Sequence, residues 1–312
     1  MGRVLVVGEA LIDVVHTRAR VTEHPGGSPL NVAAGLARLG DPVDFLTAIG
    51  TDERGDAVLR HLRDSGVRLV SGSVTAGTTS TATATIDESG GATYSFDFHW
   101  AIAPVVGLYD HALLHVGSLG CFVEPGAGQV ADLVRRAGAE TIVTFDPNLR
   151  PALLPAEGEV RGRFDQFASM SAVVKLSDED ASYLWPGVAR DEVIARLLEL
   201  GVQVAVVTGG ADGALLATAS ARVHVPSTAS QVVDTIGAGD SFMAGLIHMV
   251  LGRPSSVGTA VNGPPSLDLG RDELTEVGRF AALCAGVTVS HAGAYAPTVA
   301  EVMAGAARLR SR

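Results

Sequence analysis

The sequence predicts an α/β protein: a mostly parallel sheet between two layers of helices, a three-layer sandwich, carrying a small β lid. Three observations support this. Short β-branched runs alternate with segments of helical periodicity. Residues 73–98 break that rhythm with a period of two. No stretch reaches the ~18 uninterrupted apolar residues of a membrane span, and Glu9 and Asp13 interrupt the apolar start, so neither a span nor a signal peptide is expected.

The elements follow in order. Val4–Val7 is a continuous apolar run, as in a strand buried on both faces. Residues 29–39 place Val32, Leu36 and Leu39 on one helical stripe, with Ser28 as expected N-cap, Pro29 at N1 and Gly40 as the stop. Residues 55–65 repeat the stripe through Val58, Leu59 and Leu62. In the period-two region Thr81, Thr83 and Thr85 alternate with Ala82, Ala84 and Ile86, and Tyr94, Phe96 and Phe98 alternate after a turn at Glu88–Gly91. Phe96, Phe98, His99 and Trp100 end this hairpin and are read as lid core, lid–lid contacts or a wall of the site. Strands are expected at 113–116, 141–145, 172–174 and 204–207, with helices at 127–137 and 191–200 between them. Val232-Val233 reads as a short strand before a helix through Phe242, Leu246, Met249 and Val250, for which Gly252 suits C′. The Pro/Gly/Ser-rich residues 252–270 read as a loop before a helix from Leu274 to Val287. The large domain is assigned to 1–13, 26–72 and 101–312, and the lid to 14–25 and 73–100.

Composition narrows the chemistry. Of 23 basic residues in 312, only Lys175 is a lysine, and Leu176 follows it, so there is no Gly-Lys-Ser/Thr phosphate loop. Nor is there a Val-Ala-Ile-Lys kinase strand. If the protein handles phosphate, it is therefore expected to use something other than a gripping lysine, namely backbone N–H groups at helix starts, which 37 glycines can expose. A net charge of −11 argues against nucleic-acid or anionic-membrane partners. Cys121 and Cys284 lie in apolar stretches with no Cys-x-x-Cys pair, which fits buried free thiols in a reducing cytoplasm.

The most informative segment is Asp234-Thr235-Ile236-Gly237-Ala238-Gly239-Asp240-Ser241-Phe242. Gly237, Ala238 and Gly239 sit where a helix begins, so unpaired N–H groups and the helix dipole can hold a transferring phosphoryl group. Asp240 in the first turn can take a proton from an attacking hydroxyl. It can equally be a favourable acid at a helix start. The segment resembles the second signature of the ribokinase-like (PfkB) carbohydrate kinases, which lack a P-loop. That resemblance implies a ribokinase-like sandwich with a lid, Asp240 as catalytic base and the Gly237–Asp240 amides as anion hole.

Gly26-Gly27-Ser28-Pro29-Leu30-Asn31-Val32-Ala33 is similar to the family's first signature. It implies Gly26, Gly27 and Asn31 at the sugar, with Asp13 binding acceptor hydroxyls. His115–Leu119 resembles bacterial fructokinases. Asp146, Asn148 and Arg150 resemble a segment shared by fructokinases and 2-keto-3-deoxygluconate kinases, and Arg150 could grip a phosphate or carboxylate. Thr208, Gly210 and Gly213 match the family's nucleotide turn, and its adenine pocket lies near Asn262 and Cys284–Val287. The family's Asn-x-x-Glu falls on Ser177–Asp180, with Ser177 toward the nucleotide and Asp180 holding Mg²⁺ through water. A capped helix start explains the same residues. Asp234 is assigned to a monovalent cation, K⁺.

The resemblance thus implies an ATP-dependent, cytoplasmic sugar kinase, with fructose as first substrate and a homodimer through the lid. The alternatives are a 2-keto-3-deoxygluconate kinase, a ribokinase or nucleoside kinase, and a non-catalytic sugar-binding regulator.

Overall fold

A computed structural model describes residues 2–18, 20–86, 91–103, 111–137, 140–252, 257–258, 266–267 and 269–310. The first half of the chain runs β1 (Arg3–Val7), β2 (Leu11–His16), β3 (Val21–Gly26), α1 (Ser28–Arg38), β4 (Val43–Leu46), α2 (Glu53–Ser65), β5 (Arg68–Leu69), β6 (Thr81–Ile86), β7 (Ala92–Asp97), β8 (His111–Gly117), α3 (Gly126–Arg135) and β9 (Ile142–Asp146). The second runs α4 (Glu157–Ser169), β10 (Val173–Ser177), α5 (Asp178–Leu184), α6 (Arg190–Glu199), β11 (Val204–Thr208), β12 (Ala214–Ala217), β13 (Arg222–Val225), α7 (Ala238–Leu251), the short pair β14 (Val257–Gly258) and β15 (Ser266–Leu267), α8 (Arg271–Thr288) and α9 (Val299–Arg310).

Nine strands form one sheet in the order β13-β12-β11-β10-β9-β8-β1-β4-β5. All neighbours are parallel except at β12 and β13, which close one edge as antiparallel strands. Alternate residues feed opposite faces. Val4 and Val6 enter one core cluster, with α1, α2, α7 and α8 residues; Leu5 and Val7 enter the other, with α3, α4 and α6 residues. This is the expected α/β sandwich.

A second, four-stranded sheet has the order β3-β2-β6-β7, with β2 parallel to β6. It begins at Leu11 and ends its first pair at Gly26, so it reaches further into the chain than 14–25. The expected turn at Glu88–Gly91 lies largely outside the described residues. Trp100 is 4% exposed and belongs to the large core, where its indole N–H donates to the Gly120 carbonyl at 3.0 Å.

Three local expectations are corrected. Val232-Val233 is not a strand: the residues are 63% and 54% exposed, and the Val233 N–H donates to the Val289 carbonyl rather than to a sheet. Ser28 does not cap α1; the N-cap is Gly27, and the Ser28 hydroxyl is used elsewhere. Gly252 is the C-cap of α7 in the right-handed helical region, not a left-handed C′. The loop expected at 252–270 falls mostly on residues outside the described set, Asn262 among them.

Candidate active site

The parallel strands end on one side of the sheet in a cavity of about 660 Å³. Glu9 follows β1, Ser118 follows β8, Asn148 follows β9, and Ser177 and Thr208 end β10 and β11; all five line it. The N-termini of α1 and α7 complete its wall.

At α7 the turn has the geometry to take an anion. Gly237 caps the helix with φ +75°, and a Cβ there would come within 2.8 Å of Ala294 Cα and Cβ. Ala238 N–H donates to the Thr235 carbonyl, and the first helical bond runs from Ser241 N–H to the Gly237 carbonyl. The Gly237, Gly239 and Asp240 amides meet no backbone acceptor among the described residues. All three residues line the cavity, with the helix dipole behind them.

Asp240 sits at this mouth, 9% exposed. Its Oδ1 accepts the Ser28 hydroxyl at 2.6 Å and its Oδ2 accepts the Asn31 amide at 2.8 Å. Both donors come from the first turn of α1, over 200 residues earlier. Each carboxylate oxygen keeps a lone pair for an incoming hydroxyl. Gly27, with φ +108° and a would-be Cβ 2.7 Å from the Glu9 carbonyl, lets α1 start this close to β1.

On the other side, Asp13 and Arg150 line the cavity. The crowding walls raise the Asp13 carboxyl, and the Asp240 charge adds to this, against Arg150 and His24. Gly26 lies behind Asp13, where a side chain would collide with that carboxylate. Asn148 adopts a left-handed φ of 37°, a conformation asparagine tolerates. Phe96 reaches the cavity from β7.

Sequence reasoning missed Glu9 as a site residue. It is 2% exposed, accepts the Gly120 N–H at 2.9 Å, and burial pushes its pKa from 4.5 to about 7. A carboxylate directly after an apolar strand was the available signal. His115, by contrast, lies inside the sheet against Thr144, and burial pushes its pKa down to about 3.

Thr208 and Gly210 line the cavity, while Gly213 sits behind the turn at the start of β12. Ser177 and Asp180 also line it and form a complete capping box on α5. Asp180 Oδ2 accepts both the backbone N–H and the hydroxyl of Ser177, and Oδ1 accepts the Leu149 N–H at 2.7 Å. Glu179 lines the same cavity with no protein partner among the described residues. Carboxylates with open oxygens suit a hard, partly hydrated cation, although no cluster of three or more metal-ligating side chains is preformed among the described residues. Asp234 lies outside the cavity lining; its oxygens accept the Ile236 and Gly293 N–H groups, which hold its pKa below the usual range. Near Cys284–Val287 a smaller cavity of about 60 Å³ is lined by Thr228, Gly286 and Val287.

An amide-lined anion cradle with a held carboxylate at its mouth, on an α/β sandwich, is equipment for phosphoryl transfer to a hydroxyl. The chain belongs to the pfkB family of carbohydrate kinases, whose model matches residues 1–301. It is similar to a fructokinase of Rhizobium leguminosarum bv. trifolii, 32% identical over 256 residues and 78% of each chain. A fructokinase of Xylella fastidiosa, solved with bound ATP, superposes with a TM-score of 0.82 at 27% identity over 99% of each chain. The aminoimidazole riboside kinase of Salmonella enterica, solved with aminoimidazole riboside and an ATP analogue, gives 0.78 at 25% identity over 97% of this chain and 99% of its own. No helix among the described residues is long and apolar enough to cross a membrane.

Proposed function

We propose that the protein transfers the γ-phosphate of ATP to a primary hydroxyl of a monosaccharide, with fructose as the first candidate. The observation that carries this is the meeting of α1 and α7: Ser28 and Asn31 hold Asp240 at the mouth of an open amide turn. The sugar lies between Asp13, Gly27, Asn31 and Arg150. Asp240 takes the proton as the hydroxyl oxygen attacks phosphorus. The Gly237, Gly239 and Asp240 amides hold the charge that builds on the phosphoryl oxygens. Thr208 and Gly210 face the nucleotide.

Mg²⁺ fits the acid run at the start of α5, with Glu179 offering the open carboxylate and Asp180 fixing the turn. It would supply positive charge to the phosphates. K⁺ remains assigned to the Asp234 loop. The second sheet acts as the lid that excludes water on closing. Its exposed Val21, Ile86 and Tyr94 support a homodimer through that sheet.

The names of the relatives favour fructose. Arg150 in the cavity keeps a keto-acid such as 2-keto-3-deoxygluconate as the second reading, since a guanidinium matches a carboxylate. The test is sugar-dependent ADP release with fructose, ribose, 2-keto-3-deoxygluconate and nucleosides. Turnover of fructose is expected. Turnover of nucleosides alone refutes fructose, and binding without turnover refutes the kinase in favour of a regulator.

A further inference from the structure

The floor of the cavity holds a cation with no part in the reaction so far. Lys175, the only lysine of the chain, lies in β10, lines the cavity and is 3% exposed. Its Nζ is 2.8 Å from Asp146 Oδ2. A Cβ placed on Gly239 would lie 3.3 Å from the same Nζ. The ammonium group therefore abuts the middle of the anion turn, although strand and turn are more than 60 residues apart in sequence. Asp146, Asp180 and Asp240 raise its pKa against the effect of burial, so it remains a cation at neutral pH.

One account is that Lys175 only neutralises Asp146. Three observations weigh against it. Buried ion pairs are a poor source of stability compared with apolar packing, so this one needs another reason to exist. The Asp146 carboxylate finds Lys175 alone among the described residues, so the acid positions the lysine as much as the reverse. The chain uses arginine at its other 22 basic positions, and an arginine fork could engage both oxygens of Asp146. An ammonium has three N–H donors, and the Asp146 ion pair can occupy at most one or two of them. The others have no protein acceptor among the described residues and sit beside the turn.

We propose that Lys175 is a catalytic residue that contacts the phosphoryl group in transfer, held in place by Asp146. This deepens the kinase reading above and rests on it. The acceptor oxygen bonds to phosphorus as the bond from phosphorus to the leaving diphosphate oxygen breaks. The electron pair of that bond leaves with ADP, and the acceptor proton passes to Asp240. Lys175 neither gives nor takes a proton; its N–H groups hold non-bridging oxygens of the phosphoryl group beside the Gly239 amide. The sequence argument that no lysine handles phosphate thus holds for a P-loop, but not for this strand.

The test is the neutral pair Lys175→Met with Asp146→Asn, which leaves no buried carboxylate unpaired, read beside Lys175→Gln. Melting temperature, sugar affinity, ADP affinity, kcat and the affinity for ADP with aluminium fluoride are measured. We expect folded protein with sugar and ADP affinities within threefold of wild type. We also expect a 10²-fold or greater loss of kcat and a comparable loss of the tightening that aluminium fluoride gives. A folded variant of either kind with kcat and fluoride-dependent affinity within threefold of wild type overturns the proposal. If wild type phosphorylates no sugar, the function proposed above fails instead. Calorimetric preference for ATP over ADP then still reads Lys175: its loss in the variants supports the contact and its retention overturns it.

Discussion

Glu9 gives a prediction whose size follows from its surroundings. Its carboxyl is 2% exposed, against the Gly120 N–H and the Ser118 hydroxyl, and burial lifts its pKa from 4.5 to about 7. The folded state therefore binds a proton that the unfolded chain releases between those values. The stabilisation from the neutral form is complete below pH 4.5 and is lost as pH rises through about 7. A shift of that size corresponds to about 3 kcal/mol at pH 8 and above. Glu9→Gln keeps an oxygen for the Gly120 N–H and never ionises. The variant is expected to match wild type near pH 4.5 and to gain on it with rising pH, by about 3 kcal/mol at pH 8.5. With an unfolding entropy of about 2 cal/mol/K per residue, that is a rise in Tm of roughly 4–5 °C. Burial also lifts the Asp146 pKa to about 7, but Asp146 is present in both proteins and cancels in the difference. Calorimetric or urea unfolding of the two proteins from pH 4.5 to 8.5 measures it. A difference that stays flat across that range refutes the reasoning.

Three further outcomes are expected. Asp240→Asn should keep sugar binding and a near-native Tm but lose 10²–10⁴-fold in kcat, measured by coupled ADP release; wild-type-like turnover removes it as the base. Gly237→Ala must hold a left-handed φ and meets the Ala294 backbone at 2.8 Å, so it should lose about 2 kcal/mol or more in urea unfolding. Asp180→Ala removes the carboxylate half of the α5 capping box and leaves the Ser177 and Leu149 N–H groups without their acceptor, which should cost about 2–4 kcal/mol, again by urea unfolding; an unchanged midpoint would deny it that structural role.

What could be read from the sequence is what is local. The strand runs and helix stripes are set by periodicities of two and 3.6, and the core clusters follow them. The glycine turn before α7 was legible as a turn because a positive φ and amides without backbone acceptors are local properties that glycine permits. Ser177 and Asp180 were legible as a capping box, three residues apart. What was missed depends on distant contacts. Ser28 has the residue type of an N-cap, yet Asp240 claims its hydroxyl from 212 positions away. Val232-Val233 has strand propensity, but Val289 takes the bond a sheet would need. Glu9 ends an apolar run like any strand terminus, and only the fold closes Ser118 and Gly120 over it. Lys175 alternates within a strand, so nothing local indicates that its ammonium group points at Gly239.

The placement of Asp240 ties the α1 side of the cavity to the α7 side. Its two hydrogen-bond donors belong to α1, and it belongs to α7, so a shift of one helix against the other would unseat it. The chain fixes that distance with small residues. A Cβ on Gly35 of α1 would lie 2.9 Å from Ala244 Cβ of α7, and one on Gly245 would lie 2.9 Å from Ala281 Cα of α8. Side chains at these points would push the helices apart, and bonds of 2.6 and 2.8 Å have little slack. The glycines inside α1 and α7 thus have a role separate from those in the turn. The turn glycines leave amides open to the cavity, whereas Gly35 brings α1 close enough to α7 for Ser28 and Asn31 to hold one carboxylate, and Gly245 seats α7 against α8. A larger residue at Gly35 would act on the site through the Asp240 hydrogen bonds, about two helical turns from the chemistry.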